Sequence, residues 1–151
     1  MKVRALDAQD MPAARALLVS ADLPIDDIDD PAISFIGAYA GAELVGVVGL
    51  QDCAGTGLLR SLAVSPQRRG EGIARQLCEL VFELATARKL DALWLLTTSA
   101  HEYFTRYGFE AVPRDAAPDA IRATAQFAAL CPSSAQVMCR LSSNPTSPAP
   151  S

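Results

Sequence analysis

Leu58-Leu59-Arg60-Ser61-Leu62-Ala63-Val64-Ser65-Pro66-Gln67-Arg68-Arg69-Gly70-Glu71-Gly72-Ile73-Ala74 is the stretch from which the rest of the chain can be read. It opens as an apolar strand over 58–64, turns at Pro66, and enters a basic loop containing Gly70 and Gly72. Leu77, Leu80, Val81, Leu84 and Ala85 follow at spacings of three and four, which predicts an amphipathic helix over about 72–88. A strand that passes through a glycine turn into a helix offers unpaired backbone N–H groups at the helix N-terminus. Those groups and the helix dipole favour a bound phosphate. Gly70 and Gly72 carry no Cβ, so the backbone there can approach a ligand closely.

Two common nucleotide motifs are excluded. A Walker A loop needs Lys-Ser/Thr after its last glycine, and here Ile73-Ala74 follows. A dinucleotide fingerprint needs three glycines, and this loop has Gly70 and Gly72 alone. What remains is Arg69-x-x-Gly72-x-Ala74, preceded by Leu62-Ala63-Val64-x-Pro66. This pattern resembles the acetyl-CoA signature Gln/Arg-x-x-Gly-x-Gly/Ala of the GNAT N-acetyltransferases, and the spacing from Val64 to Arg69 fits that family.

The length of 151 residues suits one domain with a substantial core, and the balance of apolar and charged residues is that of a globular protein. A formal net charge of −4 argues against a broad nucleic-acid surface. Against that acidic background Arg68, Arg69 and Arg75 suggest a local anion site. The four cysteines, at 53, 78, 131 and 139, form no Cys-x-x-Cys pair and have no histidine cluster beside them. Neither a metal site nor a disulfide framework is therefore expected. No apolar stretch is long enough to span a membrane, and Met1-Lys2-Val3-Arg4 leads into no signal region, so a soluble cytoplasmic protein is expected, with no membrane partner.

Strand and helix patterns alternate in an interpretable order. A first strand lies at Val3-Arg4-Ala5-Leu6. A helix over about 11–20 follows, capped by Asp10 or by Asp7, with Pro12 in its first turn. The acidic run Asp26, Asp27, Asp29, Asp30 between Pro24 and Pro31 reads as a solvated loop. Two apolar runs, 33–40 and 43–52, flank Gly41-Ala42 as a hairpin. After the helix over 72–88 comes a buried strand at 92–97, which implies a βαβ crossover and one parallel pair. Thr98 or Ser99 is expected to cap a short helix through Tyr107, stopped by Gly108, with a strand at 109–112. Pro118 should open a helix ending before Cys131, and 135–141 is a last strand. The Ser/Pro-rich residues 142–151 are expected to be disordered. The expected class is mixed α/β: about seven strands, mostly antiparallel with one splayed parallel pair, flanked by helices, in a single domain over 1–141. That order matches the GNAT fold.

Two further blocks narrow the resemblance. Leu96-Thr97-Thr98-Ser99-Ala100-x-x-Tyr103-Phe104-x-x-x-Gly108-Phe109 is similar to a segment of bacterial N-acetylglutamate-synthase-like domains. Ala117-Pro118-x-Ala120-Ile121-Arg122-Ala123-Thr124-x-x-Phe127-Ala128-x-Leu130-Cys131-Pro132-x-Ser134-Ala135 is similar to their C-terminal block. The small ArsN-type acetyltransferases of arsenic-resistance operons share both blocks and the short length. The resemblance implies acetylation of the amine of a small amino acid or amino-acid-like compound, arsenic- or phosphorus-containing analogues of glutamate included. Acetyl-CoA is the implied co-substrate, with no metal, and a homodimer is a candidate assembly.

The resemblance also assigns residues. Acetyl-CoA would lie where the strand ending at Val64 splays from the one ending at Thr97. The backbone of Leu62, Ala63 and Val64 would pair with the pantetheine, and the Leu62 amide would polarise the acetyl carbonyl, as an oxyanion hole does. Arg69, Gly70, Glu71, Gly72, Ile73, Ala74 and Arg75 would hold the pyrophosphate. The amine attacks the thioester directly, so neither Cys53 nor Cys78 is needed as a nucleophile. No general base stands out, since Leu58 and Arg60 occupy positions where family members often carry Glu or His. Phe104 stands where many members carry the tyrosine that protonates the leaving thiolate, which leaves Tyr103 as the candidate acid or else a core residue. Arg60 is the candidate clamp for an acceptor carboxylate. The alternative for it is an exposed or salt-bridged arginine. Ser61, Thr97, Thr98 and Ser99 could add hydroxyls on the acceptor side, while His101 is expected on an outer helix face. Two competing readings stand beside the small-molecule enzyme: an acetyltransferase acting on protein N-termini or lysines, and a non-catalytic CoA-binding module.

Overall fold

A computed structural model describes residues 1–130 and 134–141. Its elements, in chain order, are β1 (Lys2–Ala5), α1 (Met11–Ser20), β2 (Ile33–Ala40), β3 (Glu43–Cys53), β4 (Thr56–Val64), α2 (Ile73–Ala87), β5 (Ala92–Thr97), α3 (His101–Thr105), β6 (Glu110–Val112), α4 (Asp119–Arg122) and β7 (Gln136–Leu141). Short 3-10 turns precede α1, at Ala8–Asp10, and precede the glycine loop, at Pro66–Arg68. The strands form one seven-stranded sheet in the order β1-β2-β3-β4-β5-β7-β6. Its parallel pair is β4–β5, as the βαβ crossover requires. The registered pairs β1–β2, β2–β3, β5–β7 and β6–β7 are antiparallel. The mixed class, the strand number and the single parallel pair agree with the sequence expectation. Among the described residues no helix is long and apolar enough to cross a membrane.

The chain divides into two compact units. The first comprises Met1–Gln51 and Leu59–Leu84. Its core joins Ala14 and Leu18 of α1, Ile28 of the following segment, and Ile33, Phe35, Leu44, Val47 and Ala63 of the sheet. Helix α2 presents Ile73, Leu77, Cys78 and Val81 inward at helical spacing. Its seat on β3 requires a glycine: a Cβ at Gly46 would stand 2.7 Å from Ile73 Cγ2 and 3.1 Å from Leu77 Cδ1. Burial pushes the Cys78 thiol up to about 12, so it behaves as a small apolar side chain.

The second unit comprises Asp52–Leu58 and the chain from Ala85 onward. Cys53, Leu58, Ala92, Trp94, Ala117, Ile121, Phe127 and Val137 form its core. The indole N–H of Trp94 donates to Thr56 Oγ1 at 3.1 Å, and the Thr56 hydroxyl donates to Ala92 O at 3.1 Å. A buried aromatic N–H is thereby satisfied.

Two local expectations are corrected here. The helix expected from Pro118 to the residue before Cys131 is instead the four-residue α4 followed by a π-helical turn, Gln126–Leu130. Thr124 is the cause: its hydroxyl donates to Ile121 O at 2.7 Å and accepts from the Phe127 N–H at 3.2 Å, competing with the helical ladder. The cap expected from Thr98 or Ser99 does not form: α3 begins after Ala100 without a side-chain cap, and Thr97 closes the turn before it, its hydroxyl accepting from the amides of Ala100, at 2.9 Å, and Ser99, at 3.4 Å. Cys131 and the tail 142–151 lie outside the described residues.

Candidate functional site

In the first unit the candidate residues fall in two groups, Arg60 to Val64 on β4 and Arg69 to Arg75 in the loop and first turn of α2. Strand β4 is irregular at its centre. Ser61 has φ +57°, a left-handed conformation that L side chains rarely adopt and that is rarer still inside a strand. Such a residue interrupts the alternation of side chains and re-aims the peptide that follows, as a β-bulge does. Leu62 and Val64, next along the chain, are half-buried, and Ala63 is buried. The registered partners of β4 and β5 are Gly57↔Leu93 and Leu58↔Trp94.

The side chain of Arg60 is 0% exposed. Its Nη2 and Nη1 meet the two carboxylate oxygens of Asp27 at 2.5 Å and 2.6 Å. Nη1 also donates to Gln51 Oε1 at 3.0 Å, and Nε donates to Ser61 Oγ at 3.2 Å. The fork that the sequence suggested for an acceptor carboxylate thus holds a carboxylate of the chain itself, and of the two alternatives posed for this arginine the salt-bridged one describes its surroundings. Asp27 and Gln51 are the members of this group that sequence reasoning missed. Asp27 looked like part of a solvated acidic run. The available signal was Ile28 beside it, an apolar residue that proves to be buried in the core.

The glycine loop has the geometry an anion needs. Gly70 and Gly72 have φ +86° and +81°, so the chain turns twice through conformations that favour glycine before entering α2. The amides of Ile73, Ala74 and Arg75 start the helix, and the first intrahelical bond at this end is Gln76 N–H to Gly72 O at 3.1 Å. The amides before it project from the helix end without intrahelical acceptors. Arg68 lies 3.6 Å from Glu71, and Arg75 lies 3.3 Å from Glu79. Arg69 is exposed, with no ion-pair partner among the described residues.

The remaining candidates lie in the second unit. Thr97 ends β5 half-buried with its hydroxyl engaged by the amides of Ser99 and Ala100, while Thr98 and Ser99 are exposed. Tyr103 is half-buried, its ring 5.3 Å from that of Phe104 and 5.1 Å from that of Tyr107. Phe104 is buried against Phe109 at 5.7 Å, so the phenylalanine at the expected acid position is a core residue of this unit. His101 is exposed. Cys139 is pushed up to about 11, by burial first and then by the nearby Asp91 and Glu110, which suppresses its thiolate. Among the described residues no group of His, Cys, Asp and Glu could hold a metal ion.

The model of the acetyltransferase (GNAT) family matches residues 3–109. The N-acetylglutamate synthase from Neisseria gonorrhoeae, complexed with coenzyme A and N-acetyl-glutamate, superposes with a TM-score of 0.78 at 21% identity, over 93% of this chain and 34% of the synthase chain. The present chain thus spans about a third of that enzyme's length. Rv2747 from Mycobacterium tuberculosis, in complex with CoA, gives a TM-score of 0.76 at 20% identity, over 93% of this chain and 99% of its own. The ribosomal-protein-S18-alanine N-acetyltransferase from Escherichia coli gives 0.72 at 17% identity, over 93% and 92% of the two chains. At these identities the likeness is one of fold.

Proposed function

The chain belongs to the acetyltransferase (GNAT) family, and from that premise we propose that it transfers the acetyl group of acetyl-CoA to the amine of a small amino acid or amino-acid-like compound. The observation that carries the cofactor half is the loop Arg69-x-x-Gly72-x-Ala74, with positive φ at both glycines and a helix N-terminus directly behind it. The pyrophosphate would accept from the amides of residues 70–75, with Arg69 as the added cation. The backbone of Leu62, Ala63 and Val64 would pair with the pantetheine. The acceptor nitrogen attacks the thioester carbonyl carbon, the C–S bond breaks, and CoA leaves as a thiolate. The Leu62 amide polarises the carbonyl as its oxygen gains charge. The nitrogen loses its proton to water or to a base reached through water.

The acceptor half rests on the similarity of residues 96–109 and 117–135 to N-acetylglutamate-synthase-like and ArsN-type sequences. It extends to arsenic- and phosphorus-containing analogues of glutamate, and so to a role in arsenic resistance. One observation favours a second reading: Asp26, Asp29 and Asp30 are exposed in the segment beside Arg60, a local negative field suited to a cationic peptide. A single turnover screen separates them. Acetyl-CoA consumption is followed with amino acids, phosphinic and arsonic amino-acid analogues, polyamines and basic peptides. The amino-acid reading expects turnover confined to the first two classes. Turnover of peptides alone transfers the assignment to protein acetylation, and CoA binding without any turnover supports a non-catalytic module.

A further inference from the structure

Holding CoA does not require the buried charges beneath β4. In a regular strand Arg60 and Ser61 would point to opposite faces and could not touch. Here Arg60 Nε donates to Ser61 Oγ at 3.2 Å, a contact that the left-handed φ of Ser61 makes available. That conformation persists only where its surroundings over-determine it. The Arg60 stem passes over Gly49 of β3, where an added Cβ would stand 3.4 Å from Arg60 Cγ. Its guanidinium is then fixed from two further directions, by Gln51 at the end of β3 and by both oxygens of Asp27. Four donor contacts go to three side chains, and no face of Arg60 reaches solvent. Asp27, 14% exposed at its side chain, closes the network from outside.

We propose that Arg60 and Asp27 are positioning residues for acetyl transfer: their ion pair, tied to Gln51 and Ser61, locks the left-handed conformation of Ser61 and thereby aims the Leu62 amide at the acetyl carbonyl. The inference rests on the acetyl-transfer reading above. A polarising amide acts only if it points at the place where negative charge develops, and a misplacement of about 1 Å is enough to cost a large factor in rate. The peptide between Ser61 and Leu62 is the one whose direction the φ,ψ pair of Ser61 determines. Segment 22–31, through Asp27, is therefore mechanically joined to the reacting centre. Arg60 is a strut, and no acceptor carboxylate has to reach it.

The test uses Asp27→Asn, which keeps the shape of the side chain but replaces one acceptor oxygen with a donor facing the guanidinium. Two backgrounds are compared: the otherwise unaltered protein, and Ser61→Gly, in which glycine takes a positive φ without help. In the first, kcat should fall about 10- to 100-fold, as for a misaimed oxyanion donor, with the acceptor KM held. In the second, the same substitution should change kcat by less than ~3-fold, because the strut has nothing left to hold. Hydrogen exchange of the amides of residues 61–64 should accelerate on Asp27→Asn in the first background alone, whether or not an acceptor has been found. Arg60→Lys should behave as Asp27→Asn does, since a point charge cannot replace the fork. Equal kcat losses in both backgrounds, or unchanged exchange at 61–64, would overturn the proposal. So would a lowered acceptor KM in Asp27→Asn, which would mean that Asp27 competes with substrate for Arg60. Absence of turnover by the unaltered protein with every acceptor defeats the functional reading instead, and the exchange data then decide the strut by themselves.

Discussion

Tyr39 donates its hydroxyl to Oδ1 of Asp10 at 2.5 Å, the same oxygen that accepts Nη2 of Arg4 at 3.0 Å. The other carboxylate oxygen accepts Arg4 Nη1 at 3.0 Å and the Asp7 amide at 2.8 Å. The Arg4 guanidinium also lies 4.7 Å over the Tyr39 ring. One carboxylate thus staples β1, the turn before α1, and β2. The Arg4 hydrogen bonds, then the Asp7 amide and the Tyr39 hydroxyl, hold the Asp10 carboxyl well below the usual carboxylate range. Bonding to Asp10 pushes the Tyr39 phenol upward.

The signs follow from which form the fold prefers. Asp10 is more acidic folded than unfolded, so its contribution is complete above the ordinary aspartate value near pH 4 and declines as pH falls below it. Tyr39 is less acidic folded, so its contribution is complete below about pH 10 and is lost as pH rises through the folded value. Urea unfolding across pH should therefore show falling stability on both limbs. Asp10→Asn should flatten the acid limb, and Tyr39→Phe the alkaline limb. An acid limb of unchanged slope in Asp10→Asn would assign it to other carboxylates.

Gly72 tests the cofactor loop. Space does not forbid a side chain there, since a Cβ would meet nothing within 4 Å, but φ is +81°. Gly72→Ala should cost about 1 kcal/mol of stability through strain alone. Gly72→Asp adds a negative charge where the pyrophosphate would sit. It should abolish CoA binding by calorimetry while thermal unfolding stays close to that of Gly72→Ala. Equal CoA affinity in the two variants would remove the loop as the pyrophosphate site.

The tryptophan is a reporter for the second unit. Thr56→Val keeps the shape of the side chain but strips Trp94 Nε1 and Ala92 O of a shared partner in a buried place. Leaving such groups unsatisfied should cost about 1–3 kcal/mol each at most, read from denaturant unfolding by tryptophan fluorescence. Because the chain has one Trp, the signal belongs to this site. Stability equal to the unaltered protein would mean that water replaces the hydroxyl.

The order of elements was legible because it rests on periodicity and on glycine and proline punctuation, which act over a few residues. Arg69-x-x-Gly72-x-Ala74 was legible for the same reason, since the positive φ values fall on the glycines. Ser61 was not legible. Nothing marks a serine between Arg60 and Leu62 as left-handed, because strand periodicity implies regular alternation there. The partner of Arg60 was out of reach as well, because Asp27 lies 33 residues away in an acidic run that composition alone assigns to solvent. Thr124 shows a third limit: a hydroxyl that bonds the backbone can interrupt a helix, and propensity does not say which threonine will do so.

Gly46 tests how tightly α2 is seated. A Cβ there would come within 2.7 Å of Ile73 Cγ2, a branched side chain with little freedom to move aside. Gly46→Ala should therefore displace the first turn of α2 and cost about 1–3 kcal/mol, the range for overpacking. Because Ile73 stands directly after the glycine loop, the same substitution should weaken CoA binding although it introduces no charge near the loop. Destabilisation with unchanged CoA affinity would show that the loop holds its shape independently of the helix.

Tyr103 is the remaining candidate for proton transfer. Its ring packs against Phe104 and Tyr107, and these contacts survive removal of the hydroxyl. Phe104, at the position where family members often carry the acid, is buried among aromatic rings and has no proton to give. A CoA thiolate has an ordinary pKa near 8.5 and can depart with little assistance near neutral pH. Tyr103→Phe should therefore lower kcat by less than about tenfold and leave the alkaline limb of the pH–rate profile in place. A loss of about 100-fold or more, together with disappearance of that limb, is the signature of a lost general acid. That result would make Tyr103 the proton donor.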